Sequence, residues 1–156
     1  MGQESSRLAL HDRDRRHEEC SRMGDRRFEK EEDMPVKLDH TVVTARDKTE
    51  SATFLAEVLG LGTPVATGHF LAVALDNGPT LDFCSVEEGA IRAQHFAFEV
   101  SEAEFDGVLG RVKGRSVPYW ADPRQTRPGE VDQRGNGRAI YFADPSGHWL
   151  EVLTRN

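Results

Sequence analysis

From Lys37 onward the chain repeats one grammar twice, and this duplication limits the folds open to it more than any other feature. Each repeat opens on a short strand that carries a histidine: Leu38-Asp39-His40-Thr41-Val42-Val43 in the first, Gln94-His95-Phe96-Ala97-Phe98-Glu99-Val100 in the second. A helical pattern follows each opening. Phe54, Leu55, Val58, Leu59 and Leu61 form one apolar stripe over residues 51–61, and Phe105, Val108, Leu109 and Val112 form another over residues 101–112. Ser101 with Glu104 three residues on predicts a capping box at the start of the second helix. Strand-like runs close each half, at residues 70–75 and 80–84 in the first and at 117–120, 139–142 and 149–153 in the second. The expected fold class is therefore α+β, built from two modules over about residues 37–86 and 93–155 of one domain spanning residues 35–156.

The last two strands are joined by Asp144-Pro145-Ser146-Gly147, a turn in which Pro145 presets the backbone and Gly147 avoids a side-chain clash. Glu151 lies beyond it, inside the apolar run Trp149-Leu150-Glu151-Val152-Leu153. A carboxylate there is costly to bury without a compensating cation, and a metal ion fits that need. Residues 122–137 form a polar loop too long for a simple hairpin, the length at which lids and binding loops occur.

Strand parity sorts the side chains. Phe96, Phe98 and Val100 share one face, leaving His95 on the other; Glu151 goes with Trp149 and Leu153 rather than with Leu150 and Val152; Asp82 and Cys84 oppose Leu81 and Phe83. His40 keeps company with Leu38 and Val42, although Thr41 and Val43 would also suit a core. Each of these residues alone reads as an ordinary strand residue. Together, His40, Asp82, His95 and Glu151 occupy matching places in the two halves, and a sheet curling about its inner face would gather them. Two imidazoles and a carboxylate suit a divalent first-row metal with open coordination positions. Asp82 is a fourth candidate, one methylene shorter than Glu. Tyr119, Trp120, Arg124 and Arg127, in or beside the long loop, are candidate substrate contacts, the arginines suited to an anionic group. Core packing and solvated surface are the alternatives for these four.

Composition excludes other classes. The net charge is −7 over 156 residues, with no basic face interleaved with aromatics, so nucleic acid is not an expected partner. No apolar run is long enough for a membrane span or secretory signal. Cys20 and Cys84 make no disulfide framework, which fits a reducing, cytoplasmic setting. Residues 1–34 are more than half charged and poor in apolar side chains, a composition that predicts a disordered tail. Met34 directly precedes the first strand pattern and offers an alternative start.

Tyr141-Phe142-Ala143-Asp144-Pro145-Ser146-Gly147-His148-Trp149-Leu150-Glu151 resembles the closing segment of the vicinal oxygen chelate superfamily, which includes glyoxalases, bleomycin-binding proteins, fosfomycin-resistance enzymes and extradiol dioxygenases. Leu38-Asp39-His40 and Gln94-His95-Phe96-Ala97-Phe98 resemble its module openings, and the likeness spans roughly residues 35–155. It implies paired βαβββ modules around an open, barrel-like cleft, with His40, His95 and Glu151 as ligands of a divalent metal (Fe, Mn, Zn or Ni) and Glu151 or Asp82 moving a proton. Asp82 stands where glyoxalase I carries a Glu, a departure from that pattern. The implied activity is that of a lyase, isomerase or dioxygenase on a small oxygenated or electrophilic metabolite, in a homodimer that in some relatives exchanges modules. The competing class is a metal-free binding or sequestration protein of the bleomycin-resistance type.

Overall fold

The computed structural model describes residues 36–155 except Asn136, and the backbone alone for Arg134. The expected disordered tail over residues 1–34, and the alternative start at Met34, lie outside the described residues. The first module runs β1 (His40–Ala45), α1 (Lys48–Leu59), β2 (Val65–Thr67), β3 (Phe70–Ala74) and β4 (Thr80–Ser85). The second runs β5 (His95–Glu99), α2 (Glu102–Gly114), β6 (Tyr119–Trp120), β7 (Asp132–Arg134), β8 (Gly137–Ala143) and β9 (Trp149–Leu153). The α+β class and the two βαβββ modules are as the sequence predicts, with β7 as an addition inside the long polar loop.

Helix α1 starts three residues earlier than its apolar stripe suggests. Asp47 caps it, accepting from the backbone N–H of Thr49 and Glu50, and Gly60 ends it at φ 77. Helix α2 starts as predicted, with Ser101 and Glu104 forming a reciprocal capping box. The two helices are pinned by Arg111, whose Nε donates to the Val58 carbonyl at 2.7 Å and so satisfies a group near the end of α1.

Each module forms its own sheet: β1-β4-β3-β2 in the first, and β5-β9-β8-β6 in the second with β7 paired to β8. In both, the opening strand runs parallel to the closing one, because the helix crosses between them. One face of each sheet enters a shared core. Val43, Val73, Leu81 and Phe83 from the first sheet join Ile140, Phe142, Leu150 and Val152 from the second, with Leu55, Val58, Phe105, Val108 and Val112 from the helices. The other face of each sheet stays outside the core. The described strands close no barrel.

His148 ties the modules at the buried seam. It is 1% exposed; its Nδ1 accepts from the Gln94 N–H at 3.1 Å, so Nε2 carries the proton that it donates to the Thr44 carbonyl at 2.7 Å. The neighbouring Asp144 turn is locked by the backbone N–H groups of Ser146 and His148 donating to its Oδ1. Ser146 Oγ lies 2.8 Å from Ser51 Oγ on α1, and Arg46 donates to the Pro145 carbonyl. Among the described residues no helix is long and apolar enough to cross a membrane.

Candidate functional site

Strand register fixes what stands on the outer face of the second sheet. His95 is opposite Trp149, and Ala97 opposite Glu151; across β8 and β9 Glu151 faces Tyr141, which in turn faces Trp120 on β6. His95 Nε2 stands 3.1 Å from Glu151 Oε2, and the Tyr141 hydroxyl donates to Glu151 Oε1 at 2.6 Å. Glu151 is 8% exposed and Tyr141 2%, whereas the His95 side chain is half exposed. Trp120 and Trp149 meet edge to face, with ring centroids 5.9 Å apart, and form an aromatic surface beside this cluster. The parity reading thus holds for His95 and Glu151, and the pairing of β6 with β8 places Trp120 on the same face. It also puts Tyr119 on the core side, opposite Phe142, with its hydroxyl donating to the Gly129 carbonyl.

The outer face of the first sheet carries the other two candidates. Val42 is opposite Asp82, and His40 opposite Thr80, whose hydroxyl donates to Asp82 Oδ1 at 2.7 Å. His40 Nδ1 lies 2.8 Å from Asp39 Oδ2, and this hydrogen bond raises the imidazole pKa above its ordinary value, with the charge of Asp82 adding to it. The His40 side chain is 54% exposed.

One expectation of the sequence reading needs correcting. Among the described residues no three His, Cys, Asp or Glu side chains gather to hold a metal ion. The curling sheet expected to bring His40, Asp82, His95 and Glu151 together does not do so within one chain, because the apolar faces of the two sheets merge into one core and the faces carrying these four residues remain outside it. His95 and Glu151 meet on the second sheet, whereas His40 and Asp82 share a face of the first, where the charge of Asp82 acts on the imidazole. Both histidine strands, β1 and β5, are edge strands, and exposed apolar side chains lie at the first, Leu38 at 66% and Val42 at 42%.

The loop residues differ in their engagement. Arg127 donates to Asp132 Oδ1 at 2.7 Å and to the Ala121 carbonyl, which staples the loop to its own base. Arg124 is exposed. Asp122 organises the loop, accepting from the backbone N–H groups of Arg124, Thr126 and Arg127 and from the Thr126 hydroxyl. Burial pushes its pKa up, but these donors outweigh that and leave it below the ordinary carboxylate value. Tyr141 and Trp149 stand beside His95 and Glu151 and were not among the sequence candidates. Both signals were available, since Tyr141 shares the outward parity of β8 and Trp149 that of Glu151, but their aromatic side chains read equally well as core.

Comparison with known proteins gives the pattern a family. The model of the Glyoxalase/Bleomycin resistance protein/Dioxygenase superfamily matches residues 37–152. Among solved structures, oxidase ChaP-H2 is 49% identical with a TM-score of 0.75, covering 79% of this chain and 96% of that one. Among curated proteins, glutathione transferase FosA of Serratia marcescens is 28% identical over 122 residues, 74% of this chain and 78% of the relative. Metallothiol transferase FosB of Shouchella clausii (strain KSM-K16) is 26% identical over 125 residues, 75% of this chain and 79% of the relative.

Proposed function

This chain belongs to the glyoxalase/bleomycin resistance protein/dioxygenase superfamily, and we propose that it is a metal-dependent enzyme that oxidises a small compound with adjacent oxygen atoms. The observation that carries this reading is the convergence of Nε2 of the half-exposed His95 and Oε2 of the buried Glu151 on the outer face of the second sheet, 3.1 Å apart. Their donor set suits a divalent cation. The third ligand is His40 of a second copy of the chain, in a homodimer joined through the edges of β1 and β5. The edge positions of β1 and β5 among the described strands and the exposed Leu38 and Val42 support that assembly. A cation held by these side chains supplies a Lewis acid with open positions for two substrate oxygens.

The remaining work falls to the chain itself. Glu151 and His95 hold their atoms on two parallel strands backed by the core, so they need little reorganisation when substrate arrives. Trp120 and Trp149 offer aromatic surface to the substrate body, and Arg124 offers a cation to an anionic substituent. The oxidase reading is favoured by the 49% identity to ChaP-H2. A second reading, transfer of a thiol to a small electrophile, is favoured by the names of FosA and FosB at 26–28% identity.

The two readings part in one assay. Metal-loaded protein is given a panel of compounds with adjacent oxygens, with oxygen uptake recorded, and then small electrophiles with glutathione, with thiol loss recorded. Oxygen uptake that is lost in Glu151→Gln supports the oxidase. Thiol loss without oxygen uptake replaces it with the transferase.

A further inference from the structure

We propose that Tyr141 is a positioning residue that holds Glu151 as a metal ligand through one carboxylate oxygen. The inference rests on the reading of His95 and Glu151 as ligands. Tyr141 and Glu151 are register partners on adjacent antiparallel strands, which places their side chains side by side on the face turned away from the shared core. The phenol donates to Oε1 at 2.6 Å, the length of a charge-assisted O–H···O⁻ bond, while Oε2 faces His95 Nε2. Both side chains are buried, so the bond is little contested by water. The Tyr141 ring also packs edge to face on His95, with centroids 6.2 Å apart at 70°. One side chain therefore touches both ligands of this chain.

A phenol at neutral pH can serve a carboxylate only as a donor. With Oε1 engaged, turning the carboxylate to present both oxygens to a cation means giving up a short, buried hydrogen bond. Tyr141 thus biases Glu151 toward one-oxygen ligation through Oε2 and keeps a coordination position open for substrate. Outer-shell partners of this kind tune metal affinity by about 10–100-fold.

Manganese(II) is the probe, titrated into dialysed full-length protein and followed by electron paramagnetic resonance. Tyr141→Phe keeps the ring against His95 and removes only the hydroxyl. The expected result is a Kd for manganese(II) about 10–100-fold weaker and an altered spectrum of the bound ion, with the melting temperature of the metal-free protein nearly unchanged. A purely structural tyrosine would change the melting temperature and leave affinity and spectrum alone, and that result overturns the proposal. Glu151→Gln separates the two levels: if it binds manganese(II) as the wild type does, the ligand reading falls and this inference with it. If Glu151→Gln loses the ion while Tyr141→Phe binds normally, only the role of Tyr141 falls. Should Tyr141→Phe not fold, wild-type protein decides through tyrosine difference absorbance. A perturbation on metal addition supports the contact, and its absence overturns it.

Discussion

The two modules share one strand order but present different outer faces. On the second sheet, Glu151 is buried between Tyr141 and His95, so a carboxylate and an imidazole are already assembled. On the first, His40 is more than half exposed, stands on an edge strand, and is oriented by Asp39, its neighbour in sequence. The difference teaches that duplication of a fold need not duplicate a site. In the proposed function, the second module would supply two ligands and the first a single one, and the shared core turns the two faces outward. The proposed completion by a second copy answers this asymmetry.

The strongest way to break that comparison is to remove ligands from opposite sides of it. Glu151→Gln and His40→Ala should each weaken divalent-metal affinity by more than about a hundredfold, beyond the range of outer-shell changes, as measured by elemental analysis after dialysis. If His40 acts across the dimer, mixing His40→Ala with His95→Ala protein under subunit exchange should restore about a quarter of the sites, because half of the dimers are mixed and each rebuilds one of its two sites. No recovery, with exchange verified by mass, would place His40 and His95 in the same chain's site.

The seam offers a second test. His148→Ala deletes the acceptor for the Gln94 N–H and the donor to the Thr44 carbonyl, and it opens a cavity among Val43, Phe83 and Leu150. Unpaired buried groups and lost packing together should cost about 2–4 kcal/mol in urea unfolding. A loss below about 0.5 kcal/mol, the range of surface substitutions, would show that the apolar core and the other ties between the modules hold them without His148.

Much of this architecture was legible in the chain, for physical reasons that can be named. The Ser101–Glu104 box, the Asp144–Gly147 turn and the outward parity of His95 and Glu151 are local features, set by two-residue and four-residue rules that a sequence displays. Strand β2 was not legible: three exposed residues after Thr63-Pro64 carry no alternation to read. Strand β7 is polar Asp-Gln-Arg and looks like the loop it interrupts. The parity of β1 was open because Thr41 and Val43 suit a core as well as Val42 does; the structure buries Val43 and leaves His40 and Val42 outside. Which faces of the two sheets meet was beyond a periodicity argument, since that depends on how the two helices pack.

Asp82 sharpens the comparison further. It shares the outer face with His40, and its carboxylate accepts from Thr80. If it acts on His40 through charge alone, Asp82→Asn should weaken metal affinity by less than about tenfold, the low end of outer-shell effects, by the same dialysis measurement. A loss equal to that of Glu151→Gln would make it a fourth ligand and bring the two modules closer to equivalence.

The smallest effect is expected in the loop that distinguishes the second module from the first. Asp122 is more acidic in the folded protein than an ordinary aspartate, because the donors from Thr126, Arg127 and Arg124 outweigh its burial. The unfolded chain therefore binds a proton on Asp122 at higher pH than the folded chain does. The stabilisation it gives the loop is fully present above the unfolded value and fades as the pH falls through the depressed folded one, below the usual carboxylate range. Hydrogen exchange at the amides of Arg124, Thr126 and Arg127 should accelerate over that acid window while the amides of β8 and β9 stay protected. Asp122→Asn should show the faster loop exchange already at neutral pH. Equal protection in both proteins would mean that the other contacts, among them the Arg127–Asp132 pair and the Tyr119–Gly129 bond, hold the loop without the carboxylate of Asp122.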